Sequence, residues 1–504
     1  MHLRRLALPE VWIPLLALAA RLVPGPRAID DAFITFRYAR NLVSGHGLVF
    51  NPGEAVLGTT TPVYALLLSG LATLSGSSAA PFPVLAWLVN ALADAITCWL
   101  LIRIGRRLGP RWAGMAAALV WAAAPMSVTF SIGGMETSLF IALMTGTLYL
   151  HSLGRPVGAA LTGALSLLTR PDALLLLAPL ALERLRPAAG WPRSRTQRAP
   201  ISWREVAAFG LPVLAWVGAG TAFYGSPIPH SILAKVAAYR LPAEAAFVRL
   251  LQHYATPFFE HLTLTTRWIP VGLLLYPTLC MLGARRVLRG EVGMWPMLAY
   301  PWLYFAAFAL ANPLVFRWYL APPLPFYFLS IFLGVERVAA DIRRPRLTLV
   351  LAAAALTLTL RGWTLYPDHG PDRPAPQMAF IRLELLYRQA AEELRGEIQP
   401  GQVLAAGDVG ALGYYTDARM LDTVGLNSPQ AVAYYPLPAS FYVINYAIPP
   451  ALITDLRPDF LVMLEAYGRN GLLRDPAFGE GYELIRTYPT DVYGSRGMLV
   501  FQRR

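Results

Sequence analysis

Pro62-Val-Tyr-Ala-Leu-Leu-Leu-Ser-Gly-Leu-Ala-Thr-Leu74 is apolar along its whole length, yet it falls short of the roughly twenty residues that a helix needs to cross a bilayer. Whether it spans decides the topology of everything after it. If it crossed, Arg103, Arg106, Arg107 and Arg111 would lie on the outer face, against the tendency of arginines in short loops to stay cytoplasmic. If it lies on or dips into the outer interface, those four fall inside. Every later cluster then falls inside too: Arg155; Arg184 to Arg204; Arg285, Arg286 and Arg289; Arg337 to Arg346.

On that reading the chain is a polytopic α-helical membrane protein of about eleven spans, at 6–23, 82–102, 112–130, 136–153, 157–169, 172–185, 206–224, 268–286, 292–311, 317–335 and 346–361. The expected location is a plasma or inner membrane, with the N-terminus cytoplasmic and the C-terminus outside. Composition agrees, because 56% of the residues are hydrophobic and only 14% charged, well below the quarter that is usual in soluble proteins. The +13 net charge sits in short inter-helical clusters, so it reports orientation and argues against a nucleic-acid partner. Cys98 and Cys280 lie inside hydrophobic segments and read as packed thiols.

The outer face then carries the first loop, 24–81, and short turns at 133–137, 169–172 and 312–317. It also carries a loop at 225–267 and everything beyond residue 362. The division expected is 1–361 as the transmembrane domain and 362–504 as an extracytoplasmic α/β domain. In the latter, 378–395 has helical periodicity, and 402–406, 460–464, 482–488 and 498–502 read as strands. Asp94 lies mid-span, where a bare charge costs about 2.5–3.5 kcal/mol, so it should face the bundle interior.

In the first loop, Asp30, Arg37, Asn41 and Ser44 recur at helical spacing, while Phe33, Phe36 and Val43 form an apolar stripe suited to the membrane interface. Gly45 should end this helix. Asp30 fits an N-cap, with Asp31 favourable near the positive helix end. Equally, a carboxylate beside a hydroxyl can act as general base. Chemistry alone leaves both open. Gly407, Gly410 and Gly413 follow a strand, but their spacing departs from a dinucleotide-binding loop and fits a tight strand-to-helix turn better.

Asp30-Asp-Ala-Phe-Ile-Thr-Phe-Arg-Tyr-Ala-Arg-Asn-Leu-Val-Ser-Gly-His-Gly-Leu-Val-Phe-Asn-Pro-Gly-Glu54 resembles the first outer loop of the mycobacterial terminal β-(1→2)-arabinofuranosyltransferase family, of the GT-C class. Further landmarks of that resemblance are Gly133-Gly-Met-Glu-Thr-Ser138, Leu168-Thr-Arg-Pro-Asp172, Tyr224-Gly-Ser-Pro-Ile-Pro-His230 with Lys235, and Gly407-Asp-Val-Gly-Ala-Leu-Gly413. Leu57-Gly-Thr-Thr-Thr-Pro62 and His230 depart from the pattern. The resemblance implies an inverting glycosyltransferase with a polyprenyl-phosphate sugar donor, arabinofuranose being one candidate sugar. The acceptor would be a cell-envelope glycan or lipid-linked molecule at the membrane surface.

Asp30 and Asp31 would then be catalytic, Asp30 being the favoured base, and they are also candidate ligands for a divalent cation (Mg, Mn or Ca). Lys235, Arg170 and Arg317 would bind the donor phosphate, and Arg37, Arg40, Glu136 and His230 would contact substrates. A protein O-mannosyltransferase and a lipid aminoarabinose transferase are alternatives within the class. A secondary transporter is the rival outside it, but that should show repeated halves and midplane charges.

Overall fold

The computed structural model describes residues 8–76, 79–109, 112–185, 200–259, 265–289, 293–344, 346–359 and 379–504. The expected domain boundary at 361–362, together with Arg111, Arg186, Arg193, Arg195 and Arg198, lies outside them.

Among the described residues helices run from Pro9–Leu22 to Leu347–Thr359, and an α/β unit follows. Among the described residues four helices are long and apolar enough to cross a membrane: Phe82–Arg107, Trp203–Tyr224, Trp268–Leu288 and the 25-residue stretch Arg317–Asp341. The span expected at 112–130 is broken. Ala113–Ala123 and Pro125–Ile132 meet at a bend of 52°, because Pro125 has no N–H to continue the ladder and Ala124 is extended. The run that opened the sequence reading is a helix, Pro62–Leu74, with Tyr64, Ala65 and Leu68 buried and Leu66, Leu67 and Leu74 exposed. Ser69 donates to Ala39 O (3.2 Å) and Tyr64 to Gly134 O (3.1 Å), which ties this helix to the earlier part of the first loop and to the turn at 133–137.

Asp94 is fully buried. It accepts from Arg21 Nε (2.8 Å), Trp121 Nε1 (3.0 Å) and Ser138 Oγ (2.9 Å), so its charge is structural and paired.

The C-terminal unit is built on a five-stranded sheet ordered β2-β1-β3-β5-β4, where β1 is Val403–Ala406, β2 Arg419–Asp422, β3 Phe460–Leu464, β4 Tyr482–Tyr488 and β5 Met498–Arg503. Strands β2, β1 and β3 run parallel, and β5 and β4 are antiparallel additions. Sequence reading missed only β2, a four-residue strand opening on an exposed arginine. The carboxyl ends of the parallel strands are the usual ligand edge of such a sheet.

That edge meets the first-loop helix, Asp30–Val43. Phe33 and Phe36, expected to rest on lipid, are instead buried. Phe33 packs on Tyr414 (5.1 Å) and Tyr415 (5.2 Å), and Phe36 lies 6.3 Å from Tyr414. Periodicity marks an apolar face without saying what covers it, and here the cover comes from a helix some 380 residues later. Gly45 ends the helix as expected, with φ +82.

Candidate functional site

The backbone before the acids is held against the turn at Gly133-Gly134: Arg27 N–H donates to Ile132 O (2.8 Å) and Ile29 N–H to Gly133 O (2.9 Å). Both glycines are required. A Cβ at Gly133 would stand 2.7 Å from Ile29 Cδ1, and one at Gly134, whose φ is +75, 2.8 Å from Phe36 Cζ.

Asp30 does cap a helix, though not its own. The N-cap of Asp30–Val43 is Ile29, with no side-chain bond. The Asp30 carboxylate instead accepts the N–H groups of Gly410 (3.1 Å) and Ala411 (2.7 Å), at the start of the helix Gly410–Thr416 in the C-terminal unit. Gly410 makes this approach feasible, since a Cβ there would lie 1.8 Å from Asp30 O. A Cβ at Gly413 would likewise stand 2.5 Å from Arg37 Nη1 and one at Gly407 2.8 Å from Tyr446 Cε1, so close approach accounts for all three glycines.

Asp31 accepts no hydrogen bond among the described residues and remains partly exposed. Burial pushes its carboxyl above the usual range, and Lys235 pulls it part of the way back. Asp30 is pushed up further, by burial first, then by Asp408 and Asp31, against the opposing N–H bonds. Lys235, the one lysine in the chain, sits on the helix His230–Ala238, 5.2 Å over the Phe316 ring. No described acid is within ion-pair distance of it. Burial works against its charge, but Tyr319 and Asp31 outweigh that and leave its pKa above the ordinary lysine value.

Arg170 is spoken for. It pairs with Glu136 (2.8 Å) and Asp172 (3.0 Å), and its guanidinium lies 4.9 Å over Tyr319. Two carboxylates on one guanidinium leave it little positive field for a phosphate, although the group stays in electrostatic range of Lys235. Arg37 is buried and donates to Phe50 O, Gly413 O, Ala418 O and Asn51 Oδ1. Arg40 donates to Tyr414 O and pairs with Asp417. Both arginines therefore dock the first loop on the C-terminal unit. Arg317 opens a 3-10 turn, Arg317–Leu320, in electrostatic range of Tyr493. His230 donates its backbone N–H to Leu57 O (2.8 Å), and its Nε2 is buried without a partner among the described residues.

Sequence reasoning missed Asp408, on the loop between β1 and the Gly410–Thr416 helix. Its Oδ2 accepts the hydroxyls of Tyr387 and Tyr467, the latter at 3.0 Å. Burial raises its pKa, with Tyr387 and Tyr467 opposing and Asp31 adding to the rise. Its signal was present inside the quoted glycine landmark, as an acid two residues past a buried strand. Among the described residues no group of three or more His, Cys, Asp or Glu side chains is arranged to hold a metal ion, and both Asp30 oxygens already accept N–H bonds. The donor set does not fit a resident cation, and no step below runs through one.

The fold is that of the GT-C membrane glycosyltransferases. An apo structure of ArnT from Cupriavidus metallidurans superposes with TM-score 0.59 at 12% identity, covering 98% of this chain and 96% of that one. The archaeal oligosaccharyltransferase AglB from Archaeoglobus fulgidus, solved with an inhibitory peptide and a dolichol-phosphate, superposes with TM-score 0.56 at 14% identity over 98% and 74%. In sequence the chain is 31% identical over 228 residues to the terminal beta-(1->2)-arabinofuranosyltransferase of Mycobacterium tuberculosis. That match covers 42% of this chain and 35% of that protein. A family model described as a domain of unknown function (DUF8728) matches residues 378–501, the C-terminal unit.

Proposed function

We propose that this protein is a GT-C glycosyltransferase that moves a sugar from a polyprenyl-phosphate donor to a cell-envelope glycan or lipid-linked acceptor at the outer membrane face. Asp31 is the base in this reading, a reassignment from Asp30. The observation that carries it is the contrast between neighbours: the Asp30 carboxylate is occupied by two backbone N–H groups, while that of Asp31 has no hydrogen-bond partner among the described residues and lies in electrostatic range of Lys235.

In the reaction, Asp31 takes the proton of an acceptor hydroxyl as that oxygen bonds to the anomeric carbon. The bond from that carbon to the donor phosphate oxygen breaks, its electron pair leaves with the polyprenyl phosphate, and Lys235 neutralises the charge left there. Attack opposite the leaving group inverts the anomeric centre. Arg170, paired with Glu136 and Asp172, stays in electrostatic range of Lys235, and Arg317 directly follows Phe316, the ring beneath Lys235. The 31% identity to an arabinofuranosyltransferase supports arabinofuranose as the sugar. Support for the lipid donor comes from a second ArnT structure, bound to undecaprenyl phosphate, which superposes over 98% of this chain with TM-score 0.56.

A lipid aminoarabinose transferase of the same class is the second reading. Both readings share the phosphate chemistry and differ in sugar and acceptor. Purified protein given a panel of labelled polyprenyl-phosphate sugars separates them: transfer from the arabinofuranosyl donor alone supports the first, transfer from the aminoarabinose donor alone the second. Turnover of none of the donors would overturn both.

A further inference from the structure

We propose that Asp408 and Tyr493 form the acceptor-sugar subsite of this protein, supplied by the C-terminal unit. The proposal rests on the transferase reading above and names what the junction between the two parts of the chain binds. Asp408 follows β1 at the carboxyl edge of the parallel strands, and Tyr467 follows β3 at the same edge. Two tyrosine hydroxyls converge on Asp408 Oδ2, which fixes the carboxylate and leaves Oδ1 with no partner among the described residues. The residue is partly exposed, so that oxygen is an accessible acceptor in search of a donor.

Chemistry identifies what it accepts from. A phosphate would be repelled by Asp408 together with Asp30 and Asp31, and belongs beside Lys235. A neutral ligand rich in O–H donors suits it, and a sugar hydroxyl can donate to the open Oδ1 while Oδ2 stays with the two tyrosines. The aromatic surroundings fit the apolar faces of sugar rings. Phe316 beneath Lys235 contacts Tyr239 (6.1 Å), Tyr239 contacts Tyr446 (6.1 Å), and Tyr446 contacts Tyr467 (5.0 Å), so one wall of rings links the phosphate side to Asp408. Tyr493, 48% exposed, lies on the 3-10 turn Val492–Gly494, which packs on the helix Ala379–Leu394 that carries Tyr387, and is in electrostatic range of Asp408, Arg317 and Asp31. Its φ of 57 and ψ of 27 hold a bulky residue in the left-handed region, a cost that an exposed tyrosine with no task there would not explain.

The test uses the full chain in detergent and needs no turnover for its first arm. Binding of an octyl arabinofuranoside disaccharide is measured by saturation-transfer NMR with wild type, Asp408→Asn and Tyr493→Ala. Wild type is expected to bind, and each variant to bind at least fivefold more weakly. Asp408→Asn keeps an oxygen for the tyrosine hydroxyls, and Tyr493→Ala alters an exposed side chain, so unchanged melting is expected in both. In the second arm, transfer kinetics should show the acceptor KM raised about tenfold with the donor KM and donor hydrolysis by water unchanged. Absence of binding by wild type, equal binding by the variants, or loss of donor hydrolysis in Asp408→Asn would each overturn the subsite. Disaccharide binding without transfer from any donor would sink the transferase reading and leave the subsite standing.

Discussion

At the scale of single residues, two neighbouring aspartates with the same composition of surroundings are separated by what each touches. As the proposed base Asp31 must be ionised, and burial holds its pKa above the usual carboxylate value of about 4. The acid limb of kcat/KM should therefore lie above that value, with activity rising as pH rises through it. Lys235 is the group that lowers Asp31, so Lys235→Ala should move the limb to higher pH as well as weaken donor use. A limb that stays in place, with donor KM unchanged, would reduce Lys235 to a side chain anchored at the interface.

That this acidic stretch opens a helix in the first loop was legible in the sequence. The division of labour within it was not, because the partners of Asp30 lie 380 and 381 positions away. The same distance explains Arg37 and Arg40, which looked like substrate contacts and instead hold Gly413, Tyr414, Asp417 and Ala418. For Asp408, a lone acid among glycines had no partner that sequence could supply.

At the scale of elements, the Gly410–Thr416 helix is the piece on which the site depends, since it caps on Asp30 and stacks Tyr414 and Tyr415 on Phe33. Gly410→Ala should place a methyl where Asp30 O stands, at a cost of about 1–3 kcal/mol from overpacking and with loss of activity. A drop in melting temperature and in transfer together checks this; an unchanged variant would mean the helix is not docked on Asp30.

Deeper in the bundle, Asp94→Ala should cost about 3–5 kcal/mol by stranding the buried Arg21 charge, read as reduced thermal stability in detergent. Reading Asp94 as structural was feasible from hydropathy alone, because an acid at mid-span has to be paired. The 52° break at Ala124 was less visible, since apolar composition runs unbroken across it and only Pro125 marks the place.

At the scale of the whole molecule, apolar segments declared themselves through composition, and each expected span overlaps a helix or a pair of helices among the described residues, four of those helices being long and apolar enough to cross. Their orientation rests on the arginine pattern and on reading Pro62–Leu74 as interfacial. Both native cysteines are buried, so labelling of introduced cysteines has a quiet background. An impermeant thiol reagent applied from outside should label position 417 and spare position 106. Labelling of 106 instead would invert the topology and make Pro62–Leu74 a span. What composition could not reveal is that the C-terminal unit docks on the acidic stretch, because docking across the junction depends on shape and on single hydrogen bonds.

The central claim is that Asp31 performs the proton transfer while Asp30 positions the helix that closes the site. Transfer of labelled sugar from the polyprenyl-phosphate donor, measured beside thermal unfolding for Asp31→Asn and Asp30→Asn, tests it most directly. Asp31→Asn should lose about 10²–10⁴ in rate with melting unchanged. Asp30→Asn should lose stability by about 1–3 kcal/mol, through an N–H left facing an amide, and retain more activity than Asp31→Asn. Full transfer by Asp31→Asn, or its loss confined to Asp30→Asn with melting intact, would contradict the assignment.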